Sequence, residues 1–188
     1  MMKITETKIP GLFIIQPGIY EDSRGYFYES YNERLFRDHG LDFRFVQDNE
    51  SRSGRDVIRG LHYQLHPYAQ TKLLRVLEGV VFDVAVDMRL NSPAYGSWTG
   101  IEVSAANRLQ VLVPKGCAHG FRVISEYATV FYKCDEFYYP EFERGVHFAD
   151  ESLAIDWGTE PGKAVVSEKD SKAPGFADAD KNFYFGEI

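Results

Sequence analysis

Histidine moves protons readily at neutral pH, because an imidazole titrates at about 6.5. The chain carries five: His39, His62, His66, His119 and His147. Two of them sit in settings that fit a site. His62 lies in Arg59-Gly60-Leu61-His62-Tyr63-Gln64. Strict alternation there puts Arg59, Leu61 and Tyr63 on one face of a strand and Gly60, His62 and Gln64 on the other. His119 lies in Pro114-Lys115-Gly116-Cys117-Ala118-His119-Gly120-Phe121. His62 and His66 have the spacing of a helical metal pair, but Pro67 and the strand-like pattern argue against a helix. Other reactive groups have plain structural readings when taken alone. Asp170 in Ser167-Glu168-Lys169-Asp170 reads as half of a helix-capping pair. Lys72 reads as a solvated charge, and Tyr132 in Val130-Phe131-Tyr132 as strand packing.

The elements that must position these groups are strands. The 188 residues include 16 Gly and 8 Pro spread throughout, and the longest stretch free of both runs from Phe121 to Tyr139. Long helices are therefore nearly excluded. Phe, Tyr and Trp make up 15% of the chain, a surplus that favours β-structure. Short apolar or alternating runs between turn clusters predict strands at 12–16, 26–31, 43–49, 57–64, 72–77, 80–88, 99–103, 110–113, 120–124 and 129–134. Within 80–88, Phe82, Val84 and Val86 alternate with Asp83, Ala85 and Asp87, a clear period of two. Asn32 and Gly40 bracket one short helix, and 167–172 starts another. Closely spaced strands with turns between them predict a sandwich or jelly roll rather than a parallel sheet. No repeat, linker or low-complexity segment interrupts the chain, so residues 1–188 are expected to form a single all-β domain with a few short helices.

Formal net charge is −7, the wrong sign for a general nucleic-acid binder. An acidic ligand would need its cations gathered in a cleft. Cys117 and Cys134 form neither a CxxC motif nor a disulfide framework, which predicts reduced thiols in a cytoplasmic protein. The first ten residues lack a signal peptide's apolar stretch, and the apolar run 12–15 is far too short to span a membrane.

Gly60-x-His62-x-Gln64 and Pro114-x-Gly116-x-x-His119 resemble the two boxes of a cupin-type jelly roll. Metal-binding cupins carry His-x-His followed by Glu in the first box, and here Gln64 replaces the second His. That is too few ligands for a metal of the two-His, one-carboxylate kind, so no metal is expected. Further motifs match one family in order: Asp22-Ser23-Arg24-Gly25-Tyr26-Phe27, Phe45-Val46-Gln47-Asp48-Asn49, Arg59 through Gln64, Pro114 through Phe121, Phe131-Tyr132-Lys133 and Ser167 through Asp170. With these the chain resembles the dTDP-4-dehydrorhamnose 3,5-epimerases from about Ile4 to Phe185. Cys117, Cys134 and His66 depart from the family pattern without removing a group the chemistry needs.

The resemblance implies inversion of C3 and C5 in dTDP-4-dehydro-6-deoxy-D-glucose, giving dTDP-4-dehydro-L-rhamnose, for dTDP-L-rhamnose biosynthesis. Both carbons are α to the C4 ketone, so the reaction needs a base, a cation beside O4 and an acid on the far face. By the resemblance His62 is the base, Asp170 its orienting partner, Lys72 the cation and Tyr132 the acid. It further assigns substrate binding to Arg24, Phe27, Glu29, Gln47, Asn49, Arg59, Lys72, His119, Tyr138, Glu143 and Lys169. Arg24 and Arg59 suit the diphosphate, and Phe27 and Tyr138 suit the thymine face. It also implies a homodimer with exchanged N-terminal strands, so that each nucleotide site draws residues from the partner subunit. A relative acting at one carbon, a 3,4-ketoisomerase, a metal-dependent cupin oxygenase and a non-catalytic sugar-nucleotide binder are the rival readings. The absent His-x-His speaks against the oxygenase, Tyr132 favours the double epimerase over its catalytic relatives, and His62, Asp170 and Tyr132 together speak against a non-catalytic binder.

Overall fold

A computed structural model describes residues 2–160 and 162–187. Thirteen strands are named in chain order: β1 (Lys3–Glu6), β2 (Phe13–Gln16), β3 (Tyr20–Asp22), β4 (Gly25–Phe27), β5 (Gln47–Gly54), β6 (Ile58–Gln64), β7 (Lys72–Glu78), β8 (Val80–Asp87), β9 (Trp98–Ser104), β10 (Gln110–Val113), β11 (Cys117–Val123), β12 (Tyr127–Cys134) and β13 (Glu143–Gly145). Two short helices are α1 (Glu33–Asp38) and α2 (Glu168–Ser171). One sheet has the order β1-β2-β10-β7-β12-β5 and faces a second with the order β13-β6-β11-β8-β9, while β3 and β4 make a separate hairpin. All these strand pairs are antiparallel. Neighbours distant in sequence, such as β10 with β2 and β12 with β5, give the crossed connections of a jelly roll.

Three apolar clusters hold the layers. Leu74, Val76, Val81, Val103, Val111, Val123 and Val130 come from both large sheets and fill the space between them. Outside the five-stranded sheet, Val84, Val86, Leu61 and Tyr63 are covered by Val146, Leu153, Trp157 and Phe183 from the C-terminal segment. Outside the six-stranded sheet, Ile15, Leu73 and Leu112 pack under Phe36 of α1. The Asn32 side chain caps that helix by accepting the Leu35 N–H at 3.1 Å.

Covering both outer faces changes how the alternation reads. In β8 the apolar Phe82, Val84 and Val86 face outward beneath the C-terminal segment, whereas Asp83 and Asp87 are buried at 1% and 0% exposure. The polar set lies inside. The predicted strand at 43–49 is also displaced. Phe43 and Phe45 pack beside α1, and the strand is the polar stretch Gln47–Gly54 at the sheet edge. Of the predicted 26–31 strand only Tyr26 and Phe27 lie in a strand, as the end of β4, and β1 appears where none was expected. The short strands β3 and β13 were likewise not expected, and the remaining strands fall close to their predicted positions.

Candidate active site

A cavity of about 480 Å³ opens between the sheets, lined by Arg59, His62, Lys72, His119, Tyr132, Lys169 and Asp170. Three of these come from the five-stranded sheet. His62 sits opposite His119 in the β6–β11 ladder. Three residues away, Arg59 sits opposite Phe121, only two residues from His119. That mismatch is a β-bulge, and it reverses the facing of the strand. Simple alternation separated Arg59 from His62; the bulge brings both to the cavity. Gly60 makes it possible. Its φ is +114°, and a Cβ there would lie 2.6 Å from Gly120 Cα and from the His119 carbonyl oxygen.

His62 is held from behind. Its Nε2 lies 2.7 Å from Asp170 Oδ1, and the Asp170 side chain is only 6% exposed against 31% for His62. Asp170 occupies the first turn of α2, where its own N–H bonds Ser167 Oγ at 3.0 Å. The cap and the contact to His62 therefore coexist: the cap fixes the backbone and the carboxylate points at the imidazole. Burial alone would raise the Asp170 carboxyl, but the hydrogen bonds from His62 and from the Gly60 N–H hold it below its ordinary range. An ionised carboxylate only accepts, so His62 Nε2 carries the hydrogen and Nδ1 keeps the free lone pair.

The opposite wall supplies a phenol and an ammonium. On β12 Tyr132 lies across from Asn49 of β5 and Leu74 of β7, and its inward-facing neighbours are Val130 and Cys134. Burial pushes its phenol above the ordinary value, with Arg59 pulling the other way, so it stays protonated at neutral pH. Lys72 begins β7, its Nζ 6.0 Å from the centroid of the Tyr132 ring. Desolvation pushes its ammonium below the ordinary value, offset only by through-space attraction to Cys134, Glu143 and Asp83. A half-dehydrated cation of this kind is suited to meet a developing oxyanion.

At the mouth, Glu143 accepts from Tyr138 Oη at 2.6 Å and from Lys169 Nζ. The bond to Glu143, with burial, pushes the Tyr138 phenol up to about 12. Gln47 and Asn49 face inward on β5, Gln47 Nε2 donating to Asn49 Oδ1 at 3.0 Å. Arg24, Phe27 and Glu29 lie elsewhere. Arg24 pairs with Asp22 on the exposed β3–β4 hairpin, Phe27 is 67% exposed there, and Glu29 accepts from Asn32. Within one chain they do not reach the cavity.

A model of the family described as dTDP-4-dehydrorhamnose 3,5-epimerase matches residues 6–178. The chain belongs to the dTDP-4-dehydrorhamnose 3,5-epimerase family. The enzyme of that name from Pseudomonas aeruginosa is 49% identical over 180 residues, covering 95% of this chain and 98% of the relative. The crystal structure of the Elizabethkingia anophelis enzyme superposes with a TM-score of 0.91 at 51% identity, covering 94% of this chain and 97% of the other. The dTDP-6-deoxy-D-glucose-3,5-epimerase of Legionella pneumophila, solved with dTDP-4-keto-L-rhamnose, gives 0.91 at 48% identity, covering 96% and 95%. The fold is accordingly the cupin-type jelly roll of these epimerases.

Within this epimerase fold the structure adds residues that sequence reasoning passed over. Asp83 bonds His119 Nε2 at 2.8 Å, with side-chain exposures of 1% and 7%. It forms a second carboxylate–imidazole pair in the cavity wall. Its signal was present as a polar member of the β8 alternation, which does not by itself say which face lies inside. Ser53, which accepts from Arg59 Nε at 2.9 Å and so aims the guanidinium, had no signal beyond sitting in a polar stretch. Gln64, where a metal-binding cupin places a ligand, is spent on backbone groups: its amide donates to the Tyr68 and Phe137 carbonyls and accepts the Tyr139 N–H.

Proposed function

We propose that this protein is an isomerase that converts dTDP-4-dehydro-6-deoxy-D-glucose to dTDP-4-dehydro-L-rhamnose by successive inversion at C5 and C3. Each inversion removes a proton α to the C4 ketone and returns one to the other face. His62 Nδ1 takes the proton, with Asp170 fixing the tautomer and stabilising the imidazolium. Lys72 meets the negative charge that develops on O4, a donor role worth about 10²–10³ in rate. Tyr132 gives a proton from the opposite side. The charge balance closes with side chains alone, so the proposed steps call for no metal or organic cofactor.

The observation that carries this reading is the placement of the two proton carriers. His62 comes from one sheet and Tyr132 from the other, and both line one cavity. Arg59, Lys169 and His119 supply local positive or donor groups for a diphosphate on a chain of net charge −7. Arg24, Phe27 and Glu29 complete the nucleotide site of a partner subunit through exchanged N-terminal strands. Support for the homodimer is the hairpin itself, whose Tyr20, Tyr26 and Phe27 are 70%, 58% and 67% exposed. Cys117 and Cys134 are free and buried, which fits a reducing cytoplasm. No helix among the described residues is long and apolar enough to cross a membrane.

Incubation with dTDP-4-dehydro-6-deoxy-D-glucose in D₂O, followed by NMR of the sugar, tests the reading. Deuterium at both C3 and C5 with inverted configuration is expected. Exchange and inversion at one carbon only would favour the single-site epimerase, migration of the ketone to C3 the ketoisomerase, and an unchanged sugar would refute both activity and mechanism.

A further inference from the structure

The irregular segment after β12 has few ladder partners, yet side chains tie it down at five consecutive residues. Asp135 Oδ1 accepts the Thr71 N–H at 2.6 Å, and Gln70 Nε2 donates to the Glu136 carbonyl at 2.9 Å. Gln64 Nε2 donates to the Phe137 carbonyl at 3.1 Å, while its Oε1 accepts the Tyr139 N–H at 2.6 Å. Gln47 Oε1 accepts the intervening Tyr138 N–H at 3.0 Å. Three glutamine amides thus grip the backbone of four successive residues. Gln47 reaches in from β5 of one sheet and Gln64 from β6 of the other. A backbone without ladder partners needs such groups or water. Gln64 is itself 3% exposed, and it gives a second bond from Nε2 to the Tyr68 carbonyl at 2.6 Å.

The gripped segment carries Tyr138, which is 49% exposed and bonded to Glu143 beside Lys169 at the cavity mouth. We infer that Gln64 is a positioning residue for nucleotide recognition, acting through residues 137–139 to set the Tyr138 ring as one wall of the mouth. The residue that stands in place of a metal ligand, two positions past His62, is thus turned to substrate binding. It touches neither substrate nor reacting atoms, so it acts on affinity and leaves the proton transfers alone. Amides do not titrate, so the grip holds at every pH at which the sheets are folded.

This inference rests on the proposed epimerase reading, and its test separates the two. Gln64→Met keeps the volume and removes all three bonds. The KM for the sugar nucleotide and the Kd for dTDP should each rise about tenfold, the scale of one or two neutral hydrogen bonds, with kcat within about twofold. In a Tyr138→Ala background the same change should add nothing to KM, because the wall it positions is already gone. Gln70→Met, which frees only the Glu136 carbonyl, should raise KM by a smaller factor and stands in if Gln64→Met does not fold. An unchanged KM in the folded variant, a fall in kcat alone, or full additivity with Tyr138→Ala would overturn the inference. If wild-type protein neither turns over the sugar nor binds dTDP, the epimerase reading fails by itself. The grip is then read by amide hydrogen exchange at 137–139, which should speed up in Gln64→Met, and unchanged protection there would refute it.

Discussion

Replacing Asp170 by Asn tests the proposed mechanism at one atom. The side chain is 6% exposed, its Oδ1 lies 2.7 Å from His62 Nε2, and its Oδ2 accepts the Gly60 N–H at 3.4 Å. Both contacts require an acceptor. An amide has one acceptor and one donor end, so the substituted side chain must leave one of them unmet. If its oxygen stays on His62, its NH₂ meets the Gly60 N–H donor to donor. If it flips to satisfy Gly60, its NH₂ faces Nε2, the imidazole takes the other tautomer, and Nδ1 carries a hydrogen where the base needs a lone pair. Either way the carboxylate charge that faces the imidazolium is lost, at a cost of about 1.5–3 kcal/mol. That predicts roughly a 10–150-fold fall in the rate of deuterium entry at C3 and C5, with dTDP affinity nearly unchanged. His62→Ala should cost more, because it removes the base itself. The pH dependence has a definite sign. The Asp170 carboxyl is held below its ordinary value in the folded protein. Its contribution to stability is therefore complete above its unfolded pKa of about 3.9 and disappears as pH falls through the folded value. It produces no change in stability between pH 6 and 8. Solvent exchange by Asp170→Asn at the wild-type rate, or a loss equal to that of His62→Ala, would refute the orienting role.

Tyr132→Phe keeps the ring in its place in the β12 strand and removes the proposed acid; deuterium should still enter at one carbon at least with retained configuration while net inversion falls sharply, and full epimerisation would return the tyrosine to packing. Lys72→Met should raise the melting temperature, because it removes a charge that burial penalises, while lowering kcat by about 10²–10³; a thermal shift downward with activity intact would contradict both halves. Gly60→Ala puts a Cβ 2.6 Å from two backbone atoms at a φ of +114°, so denaturant unfolding should show a loss of about 4 kcal/mol, and a loss under about 1 kcal/mol would mean the bulge relaxes freely.

The sequence made the strands legible because their turns are chemically marked and their apolar runs short. Which set the alternation would place inside was not legible. In β8 a period of two does not by itself say which set lies inside; an open antiparallel sheet keeps one wet face. The C-terminal segment covers that face, so the buried outer side took the valines and the inner side took Asp83 and Asp87. Arg59 was misplaced for another reason: a bulge leaves no periodic trace, only the two glycines, Gly60 and Gly120, that let two backbones meet. Gln47–Gly54 was only partly read as a strand because its residues are almost all polar. Lys72 and Tyr132 were unreadable as functional residues on their own, since nothing local separates them from a surface lysine or a packed tyrosine. Only the family resemblance singled them out, and the fold then put both on the cavity wall.

The architecture also bears on why this reaction suits two facing sheets. An enolate is planar, and inverting its carbon requires a base and an acid on opposite faces. Packed sheets stand about 10 Å apart, enough for one sugar ring with a short side-chain reach on either side. With His62 on β6 and Tyr132 on β12, neither carrier has to cross the ring. Strands make the two groups independent, because each is fixed by its own ladder and its own neighbours: His62 by Asp170, Tyr132 by Leu74 and Asn49. The same independence explains why the two walls should respond differently to mutation. Loss of the proposed base should stop exchange, whereas loss of the proposed acid should leave exchange running on one face. A site built on a single element, with both groups moving together, would lose the two activities in step.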